Sequence, residues 1–182
     1  MIRNTILRSV VYIFKTRPMK NPCVLLVFAF IIIQGEPQCQ HGWKPYGTSC
    51  YLVVSTNKTW SDAQSFCQHT HHGYLAELEI IDENKFLLDL LLTMPSSNTH
   101  NFWLGANDIN TEGTFIWSTS NHEFDITDWG PHEPNGHKGE NCLDTRIYDD
   151  GKLHWNDHSC DLHFYFVCEK SIGGSGGSSI IG

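Results

Sequence analysis

Among the oxygen-bearing side chains of the stretch from Glu133 to Asp157, five fall at its two ends and just before Cys142: Glu133, Asn135, Glu140, Asn156 and Asp157. Carboxylates mixed with amide carbonyls form the hard, all-oxygen donor set that calcium prefers. Zinc would ask for His or Cys ligands, and no Cys-x-x-Cys spacing occurs. Glu133 and Asn135 flank Pro134 on a stiff turn, and a cis Glu133–Pro134 bond would let both side chains point to one side. Three carboxylates and two amides leave positions open in a calcium shell. Two neighbouring hydroxyls could fill them while donating to the carboxylates and accepting from the amides. That is a sugar-binding chemistry. Each motif alone has a plainer reading, Glu-Pro-Asn as a solvated turn and Trp155-Asn156-Asp157 as a strand end before a turn. Their conjunction with Glu140 and the cysteines favours the metal site.

These residues resemble the primary calcium and sugar site of the C-type lectin family: the Glu133-Pro134-Asn135 triplet, Glu140 just before Cys142, and Trp155-Asn156-Asp157 before Cys160. Trp103-Leu104-Gly105 is similar to the family's core strand motif, and the resemblance runs from Cys39 to Lys170. It implies an α+β fold with two helices, antiparallel sheets, a long folded loop and three disulfides. The implied calcium ligands are Glu133, Asn135, Glu140, Asn156 and Asp157, the last with its backbone carbonyl as a further donor. The sugar would hydrogen-bond Glu133, Asn135, Glu140 and Asn156. The Glu-Pro-Asn order implies equatorial 3- and 4-hydroxyls, as in mannose, N-acetylglucosamine, glucose and suitably placed fucose. Relatives that select galactose have Gln-Pro-Asp there. His137 occupies a position that packs against the ligand in sugar-binding relatives, the alternative being simple loop exposure. An auxiliary calcium site is matched by Asp108 and Glu112, but Gly136 stands where a third acid is expected and Asn141 where the family has aspartate. The alternative is that these are solvated loop acids.

The cysteines set the frame for these residues. Apart from Cys23, six remain, and an even set in a secreted chain reads as disulfides, with fifteen pairings open. The resemblance implies Cys39–Cys50, Cys67–Cys168 and Cys142–Cys160. An apolar run over Tyr51–Val54 predicts a first strand. Thr59 with Asp62 predicts a capped helix through Cys67, stopped by Gly73. Leu75–Ile80 alternates like a strand. Asp82 is the expected cap of a second helix from Glu83 to about Leu92, with Leu87, Leu88 and Leu91 on its apolar face. The segment from Met94 to Asn101 reads as a loop. After a buried strand at Phe102–Gly105 comes a long irregular stretch from Ala106 to Asn141. A loop of this length in a compact domain is functional or disordered, and Phe115, Trp117, Phe124 and Trp129 argue that it is folded down. Strands at Cys142–Tyr148, Leu153–Trp155 and Phe164–Cys168 are expected to complete an antiparallel sheet.

At 182 residues the chain suits one domain with a real core. Residues 1–35 read as a secretory signal region: Met19-Lys20, a possible true start, precedes the apolar run Cys23–Ile33, and Gly35 offers a small residue for cleavage. The run is short for a stable membrane span, a signal anchor being the alternative. The carbohydrate-recognition domain is placed at 36–170, and the Gly/Ser-rich 171–182 as a flexible tail. The chain carries −8 overall. Residues 1–35 hold five basic residues and no acid, so their removal leaves seven positive against twenty negative charges, near −13. With no basic run, nucleic acid is excluded as a partner. Asn57-Lys58-Thr59 is an N-glycosylation sequon. The eleven histidines form neither His-Glu-x-x-His nor a Ser-His-Asp order, so no enzyme is expected. The reading is therefore a secreted, extracellular, calcium-dependent lectin for mannose-type glycans. A single shallow site binds weakly, so assembly into an oligomer is expected to supply avidity. The competing reading is a protein- or mineral-binding member of the same fold.

Overall fold

In the computed structural model the described residues are 39–172, apart from 96, 137, 138 and the Asn98 side chain. The expected signal region, His137 and residues 173–182 of the Gly/Ser tail lie outside them.

The strand expected at Tyr51–Val54 is longer than its apolar run: β2 spans Ser49–Lys58 and folds back on β1, Lys44–Tyr46, in a tight hairpin pairing Tyr46 with Ser49. Thr59 then starts α1, Trp60–His71, its hydroxyl accepting the Asp62 N–H at 3.2 Å as the sequence predicts. The helix runs through Cys67 as expected and stops just before Gly73, where His72 turns left-handed at φ 53° and donates its N–H to the Gln68 carbonyl. Trp60, Ala63 and Cys67 form its buried face. The Trp60 indole N–H donates to the Leu104 carbonyl at 2.8 Å and fastens the helix to the sheet.

Of the predicted Leu75–Ile80 strand only Leu75 pairs, in the two-residue β3, Tyr74–Leu75. Ala76 still gives its N–H to Val167 and its carbonyl to Gly105, but the chain leaves the ladder there. The second helix, α2, runs Ile81–Leu91, two residues earlier than predicted. Asp82 is not its cap. Instead Glu83 reaches back one turn, and its carboxylate accepts the N–H groups of Glu79 at 2.7 Å and Ile80 at 3.2 Å. Leu87 and Leu91 are buried as expected, Leu88 partly, and Asn84 lies buried beside them. Ser97–Thr99 forms a short 3-10 turn within the predicted loop.

Five further strands follow: β4 Phe102–Asn107, β5 Ile116–Trp117, β6 Cys142–Ile147, β7 Leu153–His158 and β8 Phe164–Ser171. The sheet order is β1-β2-β8-β4-β6-β7, with β3 also on β8 and β5 on β4. All pairs are antiparallel except β4 with β8, which makes the sheet mixed. Ser171, assigned to the tail by composition, ends β8, and the Ile172 N–H donates to Thr48 at 2.7 Å. Gly105 is required by a close approach, since a Cβ there would sit 2.4 Å from the Leu75 carbonyl oxygen.

The three disulfides are Cys39–Cys50, Cys67–Cys168 and Cys142–Cys160. The second ties α1 to β8 inside a core cluster that includes Trp60, Trp103 and Phe166. A second cluster gathers Leu87, Phe102, Leu104, Leu143 and Trp155, and reaches up into the long loop.

Candidate functional site

Trp155 is the anchor from which the site is built. It is fully buried, and the rings of Trp117, Phe124 and Trp129 pack on it at centroid distances of 5.7, 5.1 and 6.1 Å. Its N–H donates to the Asp128 carbonyl and its carbonyl accepts from Gly130, both at 2.8 Å, so the loop lies along β7. The long irregular stretch is thus folded down by its aromatics, as its composition predicts. This fixes the approach of the next residues: Glu133 donates its N–H to the Gly130 carbonyl at 3.1 Å, and the Glu133–Pro134 peptide is cis.

The residues beyond the proline meet those at the end of β7. The two carboxylate oxygens of Asp157 accept the backbone N–H of Asn135 at 2.9 Å and of Gly136 at 3.0 Å. Asn156 and Asp157 are themselves 7% and 2% exposed, in register with Asp144 and Leu143 of β6, and the Cys142–Cys160 bridge closes this corner. Glu140 crosses over Gly136 so closely that a Cβ on the glycine would fall 2.0 Å from the Glu140 Cβ and 2.2 Å from its Oε2. The loop thus has no room for an acid at position 136. Glu133, Asn135, Glu140, Asn156 and Asp157 are brought together, whereas His137 lies outside the described residues.

Acidic charge is concentrated here. One Glu133 carboxylate oxygen, Oε2, is buried without a hydrogen-bond donor. Burial, then the Asp157 and Glu140 carboxylates, push the Glu133 carboxyl up to about 7, with His158 opposing. Among the described residues no three His, Cys, Asp or Glu side chains stand arranged around one metal position. The oxygens of Asp157 are engaged by backbone donors, and the Asn156 amide donates to the Asp157 carbonyl at 3.0 Å. The donor set nonetheless fits a hard dication: a buried, donor-less carboxylate oxygen beside two further carboxylates needs either a proton or a cation.

Two neighbouring groups were not foreseen. Asp144, wholly buried, accepts from Asn101 at 2.6 Å and contacts the His158 ring nitrogen at 2.6 Å, and that nitrogen lies 2.7 Å from the Asn156 amide. These partners hold Asn156 in place. Burial alone would lower the His158 pKa, but the Asp144 carboxylate outweighs it and the shift is upward. The only sequence signal was an acid inside an otherwise inward-facing strand. The auxiliary residues divide: Asp108 and Asn141 are neighbours, joined by Asp108 N–H to Asn141 carbonyl at 3.1 Å, while Glu112 is exposed.

The family model for the Lectin C-type domain matches residues 56–170. The chain belongs to the C-type lectin family. These are carbohydrate-binding domains, which generally bind Ca2+, and not enzymes. The lectin is 35% identical over 132 residues to an alpha-N-acetylgalactosamine-specific lectin of Patiria pectinifera, covering 71% of this chain and 78% of that one. It is 37% identical over 137 residues to lactose-binding lectin l-2 of Anguilla japonica, covering 73% and 78%. Among solved structures it is similar to human lithostathine, with a TM-score of 0.68 and 25% identity over 76% of this lectin and 94% of that chain. No helix among the described residues is long and apolar enough to cross a membrane.

Proposed function

We propose that this lectin is secreted and binds mannose-type glycans through one calcium ion held by Glu133, Asn135, Glu140, Asn156 and Asp157. The observation that carries the reading is the buried Glu133 oxygen with no donor, beside Asp157 and Glu140. When bound, calcium would neutralise these carboxylates and offer open coordination positions to vicinal hydroxyls. Glu133 and Glu140 then accept from the hydroxyls while Asn135 and Asn156 donate to them. Calcium titration by calorimetry, followed by a glycan array with calcium and with EDTA, tests this directly. Binding of mannose-type glycans is expected only with calcium, and binding that survives chelation refutes the mechanism.

Two relatives are named for galactose-type sugars, whereas this chain has Glu-Pro-Asn at the triplet. Equatorial 3- and 4-hydroxyls therefore remain the proposed ligand. Asp108 and Asn141, with Glu112, are proposed as an auxiliary calcium position, because Asp108 Oδ1 and Asn141 Oδ1 are both buried without a donor. His137 is proposed as a further contact to the sugar. Asn57 is exposed near the end of β2, accessible to glycosylation in a secretory route. Residues 1–35 would serve as the signal region, and avidity would come from oligomers.

The twenty acidic residues favour a second reading, in which the same face meets mineral or a protein. Free mannose would compete with ligand in the first case and leave binding untouched in the second.

A further inference from the structure

Beside Pro134 the long loop leaves a cleft of about 340 Å³. Phe115, Phe124 and Trp129 line it, and Thr114, Glu123 and Thr127 supply its polar groups. Phe115 is 7% exposed, while Phe124 and Trp129 are only half-buried. The rings brace one another, Phe115 to Trp129 at 5.0 Å and Phe124 to Trp129 at 6.0 Å. We propose that this cleft is a second sugar subsite, holding the pyranose ring linked to the ring at the calcium site. The inference rests on the sugar-binding reading above.

Three features support that occupant. Pro134 lines the cleft and also separates Glu133 from Asn135, so the two sites share a wall. The cleft therefore adjoins the triplet across Pro134. A pyranose has a C–H face that gains by covering an aromatic ring, and equatorial hydroxyls that need partners. The cleft offers both, where a purely apolar tail would leave Glu123 and two threonines without hydrogen bonds. Its volume lies at the low end of small-ligand pockets, about 300–1,000 Å³, which suits a single ring.

The test compares methyl α-mannoside with α1,2-, α1,3- and α1,6-linked mannobiose by calorimetry on the full chain in calcium. At least one disaccharide is expected to bind about three- to ten-fold tighter than the monosaccharide. Thr127→Trp, which fills the cleft from an exposed position, is expected to remove that gain and leave methyl mannoside affinity unchanged. Thr114→Arg serves as an independent obstruction should the first variant fold poorly. In wild type, nuclear Overhauser contacts from Phe124 and Trp129 ring protons should reach the second sugar ring. Equal affinity for all four ligands, or a gain that survives both variants, overturns the subsite while leaving the calcium-site reading standing. No binding of any mannoside would instead remove the reading beneath it, and the subsite with it.

Discussion

Asp108 and Asn141 are joined by a single backbone hydrogen bond of 3.1 Å, and each keeps a buried side-chain oxygen with no donor. Two buried oxygens on adjoining residues, each without a donor, are costly unless a cation or a proton reaches them. Asn141→Asp turns the amide into a second carboxylate, and is expected to tighten calcium at this position by about ten-fold. Calcium calorimetry of wild type and variant would show it as a change in the weaker of two binding classes. Unchanged affinity would mean that the two oxygens do not share an ion.

Gly136 lies beneath Glu140 with no room for a methyl group. Gly136→Ala must push the Glu140 side chain or its loop aside, so calcium binding should fall by about ten-fold or more. Gly136 belongs to neither core cluster, and the melting temperature in EDTA should move by only a few degrees. A variant with wild-type calcium affinity would remove Glu140 from the ligand set.

Glu133→Gln combined with Asn135→Asp reverses which side of Pro134 carries the carboxylate. Calcium should still bind, because the charge count is kept. Preference is expected to move from mannose toward galactose, read as a change in the ratio of their inhibitory concentrations. A ratio that stays within two-fold, roughly the scatter of such assays, would detach specificity from the triplet's order.

The raised Glu133 carboxyl ties calcium to pH. Its value of about 7 in the metal-free fold means a proton occupies the site at mild acidity and has to leave when calcium enters. Calcium affinity should therefore decline as pH falls through about 7, and binding near pH 6 should release a proton. Calorimetry in buffers of different ionisation enthalpy measures that proton, and Glu133→Gln should abolish it.

Glu169 makes a separate, structural pH dependence. It is 6% exposed, accepts the Glu77 N–H at 3.0 Å and the Tyr74 hydroxyl at 3.2 Å, and burial, with the Glu83 charge adding, pushes it up to about 7. An acid held above its unfolded value stabilises the fold fully below about 4.5 and loses that contribution as pH rises through about 7. Chemical denaturation of wild type against Glu169→Gln should differ across this window by on the order of 2–3 kcal/mol, with the wild type losing stability toward neutral pH.

Much of the fold was readable where a local cause sufficed. The Thr59 cap, the buried Leu87 and Leu91, and the aromatic weighting of the long loop each depend on residues close in sequence. What escaped depends on partners far away. β3 and β5 are two residues each and exist only because β8 and β4 offer them an edge. The start of α2 was misplaced because Asp82 has the right chemistry for a cap, while the backbone donors are taken by Glu83 from inside the helix. At the candidate site the five oxygen donors were visible as a pattern. The support of Asn156 by Asp144 and His158 was not, since strand register alone brings those residues together.

β8 lies between β2 and β4, so the strand made after the other seven is the one that unites the sheet. Cys67 has to await a partner 101 residues downstream, a gap of roughly 5–20 s at ordinary translation speeds. Until then β2 and β4 expose unpaired edges, and thiols stand free to bond wrongly. A chain truncated before Phe164 would be left with two separate pieces, β1-β2 and β5-β4-β6-β7, and no strand to join them.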